Sequence, residues 1–173
     1  SDHFHEPTLE LLDHTTPIYV PDFPNRRMVD RLAEMGFSDV HPMAFGETYE
    51  ISEYIKLTCF EPGSLWNDSI ALIDIGGFRF LNLNDAGLNQ RIAAQVGPVN
   101  VVASGFSPGA SGYPLTWNHM SDDQKIEIQE QGRQGCIEVL REAMRLYGGE
   151  YLLPMACHFA LWHPSHLGYS RLT

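Results

Sequence analysis

Hydrophobic and polar positions change period twice along this 173-residue chain, and the changes predict its elements. Leu9 to Leu12 reads as the core side of a short helix, and the β-rich run Pro17-Ile18-Tyr19-Val20 reads as a strand closed by Pro21. Asn25 is placed to cap a helix running through Glu34. Met28, Val29, Leu32, Ala33 and Met35 form its apolar face, and Gly36 ends it. From Glu50 to Leu83 the period shortens to that of strands, at Tyr54–Phe60, Ser69–Ile75 and Phe78–Leu83. Gly76-Gly77 joins the last two as a two-residue hairpin, because glycine tolerates the positive φ of a primed turn. Pro98 to Ala103 reads as a further strand. Ser121 then opens the longest helix, with Asp122 and Asp123 in its first turn and Gly148-Gly149 past its end. Ile126, Ile137, Leu140, Met144 and Tyr147 give that helix one buried face. A last strand, Tyr151 to Phe159, leads into a histidine-rich end. This alternation is that of an α/β (α+β) layered domain, with no internal repeat.

Composition narrows the class. A chain of this length with 43% hydrophobic residues is one domain's worth of sequence with enough apolar surface for a core. Eleven basic residues face 22 acidic ones, a net charge of −11, which argues against a nucleic-acid or anionic-membrane partner. No apolar run reaches membrane-spanning length. Cys59, Cys136 and Cys157 are widely spaced among apolar residues, and no CxxC occurs. They read as small buried residues in a reducing, cytoplasmic setting.

Several segments carry candidate chemistry. Ser1-Asp2-His3-Phe4-His5 precedes the first helix, and Asp2-His3 reads either as a metal-ligand turn or as a helix cap. Asp85 ends the run Leu81-Asn82-Leu83-Asn84 at a strand's C-terminal end. Its two carboxylate oxygens can face two cations, or the side chain can cap its own turn. His158, His163 and His166 lie within nine residues after a strand, as rigidly held imidazole ligands or as aromatic filling and surface. His14, His41 and His119 stand alone in sequence. The loop Gly109 to Trp117, with Ser111 and Tyr113, is tight enough for its backbone to approach a ligand; the alternative is an ordered loop packed by Tyr113 and Trp117.

Taken in order and spacing, Ser1-Asp2-His3, Leu81–Asp85, Gly109–Trp117 and Pro154 through His163-Pro164-Ser165 resemble one family. It is the metallo-β-lactamase-fold superfamily, in its CMP-N-acetylneuraminate hydroxylase-like branch, and the start resembles the D-H half of an H-x-H-x-D-H motif. The resemblance implies an αββα sandwich with a dinuclear metal site at one sheet edge. Asp2 and His3 would then ligate the second metal, Asp85 would bridge, and His163 or His158 would complete the set. Residues 1–173 would form the C-terminal larger part of a single domain, with upstream strands and two histidine ligands preceding Ser1. Such a piece would bind metal poorly by itself. It would also expose a large apolar sheet face and so aggregate or dock tightly.

The branch also carries additional upstream sequence, including a Rieske domain in the hydroxylase itself; no Rieske-type Cys/His pair occurs in this chain. Family members usually offer a mid-chain histidine, whereas this sequence has none between His41 and His119. Glu61 is the nearest carboxylate that could substitute, and a carboxylate-richer site leans toward iron over zinc. Three functional expectations follow. The first is a di-iron oxygenase acting on a polar small-molecule substrate, with Asp85 holding the metals, Ser111, Tyr113 and Trp117 shaping the pocket, and an electron donor as partner. The second is a dinuclear-zinc hydrolase of an ester, lactone or phosphodiester in which Asp2 orients the attacking water. The third is a binding protein with a degenerate site.

Overall fold

The computed structural model describes residues 4–64, 68–106 and 114–155. Helix α1 (Glu6–Leu9) leads to strand β1 (Ile18–Pro21), helix α2 (Arg27–Glu34) and strand β2 (Val40–Met43). β1 and β2 pair in parallel, and Val20, Leu32 and Phe37 form a small core with Phe4, Leu9, Met28 and Val29 around it. The first helix is shorter and earlier than the leucine run predicts. It ends at Leu9, so Leu11 is 85% exposed and Leu12 is also exposed, because a four-residue helix presents too little face to bury both. Asn25 does act at the start of α2: its Oδ1 accepts from the Arg27 N–H (3.2 Å), while Arg26 takes the left-handed cap. Ala33 falls on the solvent side of that helix.

The larger sheet has six strands in sequence order: β3 (Thr48–Glu50), β4 (Ile55–Phe60), β5 (Ile70–Ile75), β6 (Phe78–Asn84), β7 (Val101–Gly105) and β8 (Tyr151–Met155). β3 to β6 run antiparallel, and β6, β7 and β8 run parallel. Gly76 and Gly77 have φ of 58° and 94°, as the primed hairpin turn requires. Parallel neighbours need crossovers. The first is a short 3-10 turn at Gln90–Ile92 continued by α3 (Ala93–Val96); the second contains α4 (Asp122–Tyr147). α4 is closed at its start by a capping box between Ser121 and Gln124 and at its end by left-handed Gly148.

Register decides what each face does. On one face Leu72, Leu81 and Val102 stand side by side and pack with Val96, Ala143 and Tyr147 from the helices. On the other face Tyr49, Leu57, Ile73, Phe80, Val101 and Tyr151 form one apolar row across all six strands. Phe78, Ile75, Tyr151 and Leu153 on that face are exposed. Tyr49 Oη ties one corner of the face to the end of β2 through Ala44 N (3.0 Å). Helices on one side and an apolar sheet surface on the other are consistent with part of the αββα arrangement that the resemblance implies. Ile126, Ile137 and Met144 on α4 are half-buried; Leu140, Ala143, Gln129 and Tyr147 are the buried positions.

Candidate metal centre

Strand direction gathers the candidate residues. β4 and β6 are both antiparallel to β5, and β7 and β8 run parallel to β6, so four strands point the same way. Phe60, Asn84, Gly105 and Met155 therefore end at one edge of the sheet. Glu61 follows the first directly and Asp85 follows the second. The chain leaves β7 at Gly105 toward the Gly109–Trp117 loop, and leaves β8 at Met155, three residues before His158.

Local backbone chemistry sets Asp85. The β6–β7 register shifts between Asn82 and Asn84, and Asn84 takes φ of 47°. Asn82 Oδ1 accepts from the Asn84 N–H (3.0 Å), a side chain stabilising its own turn. A bulge at a strand end re-aims the next side chain, and Asp85 emerges exposed at the edge. The loop carrying Glu61 is bonded to the same turn: the Gly63 and Ser64 N–H groups both donate to Ala86 O (2.9 and 3.0 Å). A Cβ at Gly63 would sit 1.9 Å from Leu88 O, so only glycine lets the two loops meet this closely.

A buried asparagine completes the bracket. Asn89 Nδ2 donates to Glu61 O (3.1 Å), and Asn89 Oδ1 accepts from the Arg91 N–H (3.0 Å). The Asn89 N–H donates to Tyr147 Oη (3.2 Å), and the same hydroxyl donates to Asn89 O (3.1 Å). Tyr147 is 1% exposed, and burial holds its phenol above the usual value, with the Asn89 contact opposing that shift. Sequence reasoning missed Asn89; an Asn directly before a helical turn is a cap signal that marks it.

The candidate residues divide clearly. Glu61 and Asp85 share the edge. Asp2, His3, His158, His163, Ser111 and Tyr113 lie outside the described residues, as does Cys157. Trp117 lies in the turn before α4, 44% exposed, with its ring 5.1 Å from that of His119. His14 packs on Phe37, and His41 stacks on Tyr19 while pairing with Asp39 (2.7 Å). Those lone histidines thus have structural work. Among the described residues no three His, Cys, Asp or Glu side chains converge. What the described edge offers is two loops bonded to each other, one bearing Glu61 and the other Asp85, and carboxylates suit hard divalent cations.

No protein-family model matches the chain. Its sequence is 30% identical over 173 residues to the cytidine monophosphate-N-acetylneuraminic acid hydroxylase of Asterias rubens, a match spanning 95% of this chain and 26% of that protein. The chain thus spans about a quarter of the length of the curated relative it matches. Among solved structures it is similar to a mutant of the CmlA β-hydroxylase, at TM-score 0.54 and 18% identity over 79% of this chain and 30% of that one. It is also similar to the metallo-β-lactamase fold protein YhfI from Bacillus subtilis, at TM-score 0.50 and 12% identity over 90% and 58% of the two chains. By fold the chain is similar to a metallo-β-lactamase fold protein, and by sequence it is similar to part of a CMP-N-acetylneuraminic acid hydroxylase.

Proposed function

We propose that this chain is part of a metal-dependent oxygenase that hydroxylates a polar small metabolite at the edge marked by Asp85. The observation that carries the reading is the joint one: sequence likeness to a hydroxylase, and an exposed Asp at the strand end where four co-directional strands finish. Two divalent cations, iron rather than zinc, would supply the activation of dioxygen. Asp85 would help hold both, and Glu61 would add a carboxylate from the neighbouring loop. Asp2, His3 and either His158 or His163 would supply the remaining donors from this chain.

The chain's own residues do the positioning. The Ala86 and Asn89 hydrogen bonds fix both carboxylate-bearing loops before any cation arrives, so little ordering is left to accompany binding. Hydroxylation consumes dioxygen, two electrons and two protons for each C–H converted to C–OH, with water as the second product. An electron donor is therefore a required partner. The relative's name makes a CMP-linked N-acyl sugar acid the first substrate to try. Cys59 and Cys136 are free thiols, which supports a reducing compartment such as the cytoplasm, and no described helix is long and apolar enough to cross a membrane.

The test is oxygen uptake by the longest natural polypeptide carrying this sequence, loaded anaerobically with Fe²⁺ and given a chemical reductant and CMP-N-acetylneuraminic acid. Uptake matched by a product heavier by one oxygen atom supports the reading. Zinc-dependent turnover of an ester or phosphodiester without oxygen uptake would replace it with the hydrolase.

A further inference from the structure

We propose that Asn89 is a positioning residue of this metal edge, fixing the Glu61 and Asp85 loops relative to each other and tying both to α4. The inference rests on the metal reading of the edge and adds what holds it in shape. Asn89 is buried, and each polar atom of its amide has a backbone partner. Nδ2 reaches Glu61 O (3.1 Å) and Pro62 O (3.5 Å), and Oδ1 takes the Arg91 N–H (3.0 Å). Its own N–H and C=O both meet the Tyr147 hydroxyl at the last turn of α4. One residue therefore links the segment four positions past Asp85, the backbone of Glu61 itself, and the longest helix.

The chemistry of the amide is specific. It presents two N–H donors and a carbonyl acceptor on one planar group, and the site uses both kinds. An Asp of the same shape would aim an oxygen at Glu61 O and Pro62 O, two further acceptors, and would push that loop away. The Gly63–Leu88 contact leaves no slack, since a Cβ at Gly63 would already overlap Leu88 O, so a displaced Glu61 loop drags the Asp85 turn with it. Groups that orient metal ligands without touching the metal change metal affinity by about 10–100-fold when removed.

The test uses the longest natural polypeptide carrying this sequence, with Co²⁺ as the probe. Co²⁺ titrations and ligand-field spectra are recorded for the parent, Asn89→Asp and Tyr147→Phe, alongside thermal melts. Leu140→Ala serves as the control: it is buried on α4, makes none of the bracket's hydrogen bonds, and lowers stability. Asn89→Asp is expected to weaken Co²⁺ binding about 10–100-fold and to shift the visible bands. Tyr147→Phe is expected to weaken it in the same direction, while Leu140→Ala lowers the melting temperature with affinity and spectrum unchanged. Parent-like affinity and spectrum in Asn89→Asp and Tyr147→Phe would overturn the positioning role. So would a Leu140→Ala protein whose affinity falls as far as theirs, since stability alone would then account for the loss. A parent that binds no Co²⁺, and an Asp85→Asn variant that behaves identically, would instead overturn the metal reading, and this inference with it.

Discussion

Tyr147→Phe is the most informative single perturbation of the fold, because it deletes one oxygen and little else. That oxygen donates to Asn89 O (3.1 Å) and accepts from the Asn89 N–H (3.2 Å) in a site where Tyr147 is 1% exposed. Phenylalanine fills the same ring volume and leaves the Asn89 N–H without its partner, while Asn89 O keeps only the longer bond from the Ile92 N–H (3.4 Å). An orphaned buried donor costs about 1–3 kcal/mol, so its loss together with the weakened acceptor should cost about 2 kcal/mol. For a domain of this size about 3 °C accompanies each kcal/mol, so the melting temperature should fall by about 6 °C in differential scanning calorimetry. The pH profile adds a second signature. Burial raises the Tyr147 phenol above its usual value, so the folded state keeps the proton longer than the unfolded chain. The associated stability is fully present below the ordinary tyrosine range and is lost as pH climbs from there through the raised value of the folded state. The phenylalanine variant should lack that part of the alkaline loss. A variant that melts within about 1 °C of the parent and shows the same alkaline slope would refute the hydrogen-bond account of this bracket.

Other outcomes follow from the same geometry. Leu81→Ala removes a fully buried side chain from the middle of the sheet's covered face and should cost about 2–5 kcal/mol in urea unfolding. Gly63→Ala should destabilise the fold by about 1–3 kcal/mol by forcing the Glu61 loop off Leu88, whereas Gly76→Ala has open space around it and should cost only the strain of its positive φ, about 1 kcal/mol; the pair is compared by chemical denaturation. Lysine at both Phe78 and Tyr151, two exposed positions on the apolar sheet face, should reduce self-association of the 173-residue chain in sedimentation velocity without lowering its melting temperature. Burial likewise raises the Cys59 thiol, so part of the stability should disappear above the ordinary thiol range and be absent in Cys59→Ala, as read from melts across alkaline pH.

Much of the fold was legible because its strands alternate cleanly. The runs at Tyr54–Phe60, Ser69–Ile75 and Phe78–Leu83 differ from β4, β5 and β6 by one residue at an end, and Gly76-Gly77 turns where two positive φ values are needed. Ser121 and Gly148 bound α4 through ordinary cap chemistry. β2 was not legible: Pro42 and His41 suppress the strand signal, and its pairing with β1 is parallel and non-local. β3 has three residues and α3 four, too few for either period to show. At the site, Asp85 was legible as a carboxylate ending an apolar strand. Its proximity to the Glu61 loop was not, because that follows from β4 and β6 pointing the same way across β5. Asn89 was missed for a related reason. Its partners are Glu61 O, 28 residues upstream, and the Tyr147 hydroxyl, 58 residues downstream, and no local pattern records them.

The most direct measurement is the metal content of the longest natural polypeptide carrying this sequence, purified anaerobically, with the Asp85→Asn variant beside it. The account predicts about two irons per chain, the number one bridging carboxylate can hold, and their loss on substitution of Asp85. A parent protein without bound metal, or one whose metal is unchanged by Asp85→Asn, would contradict it.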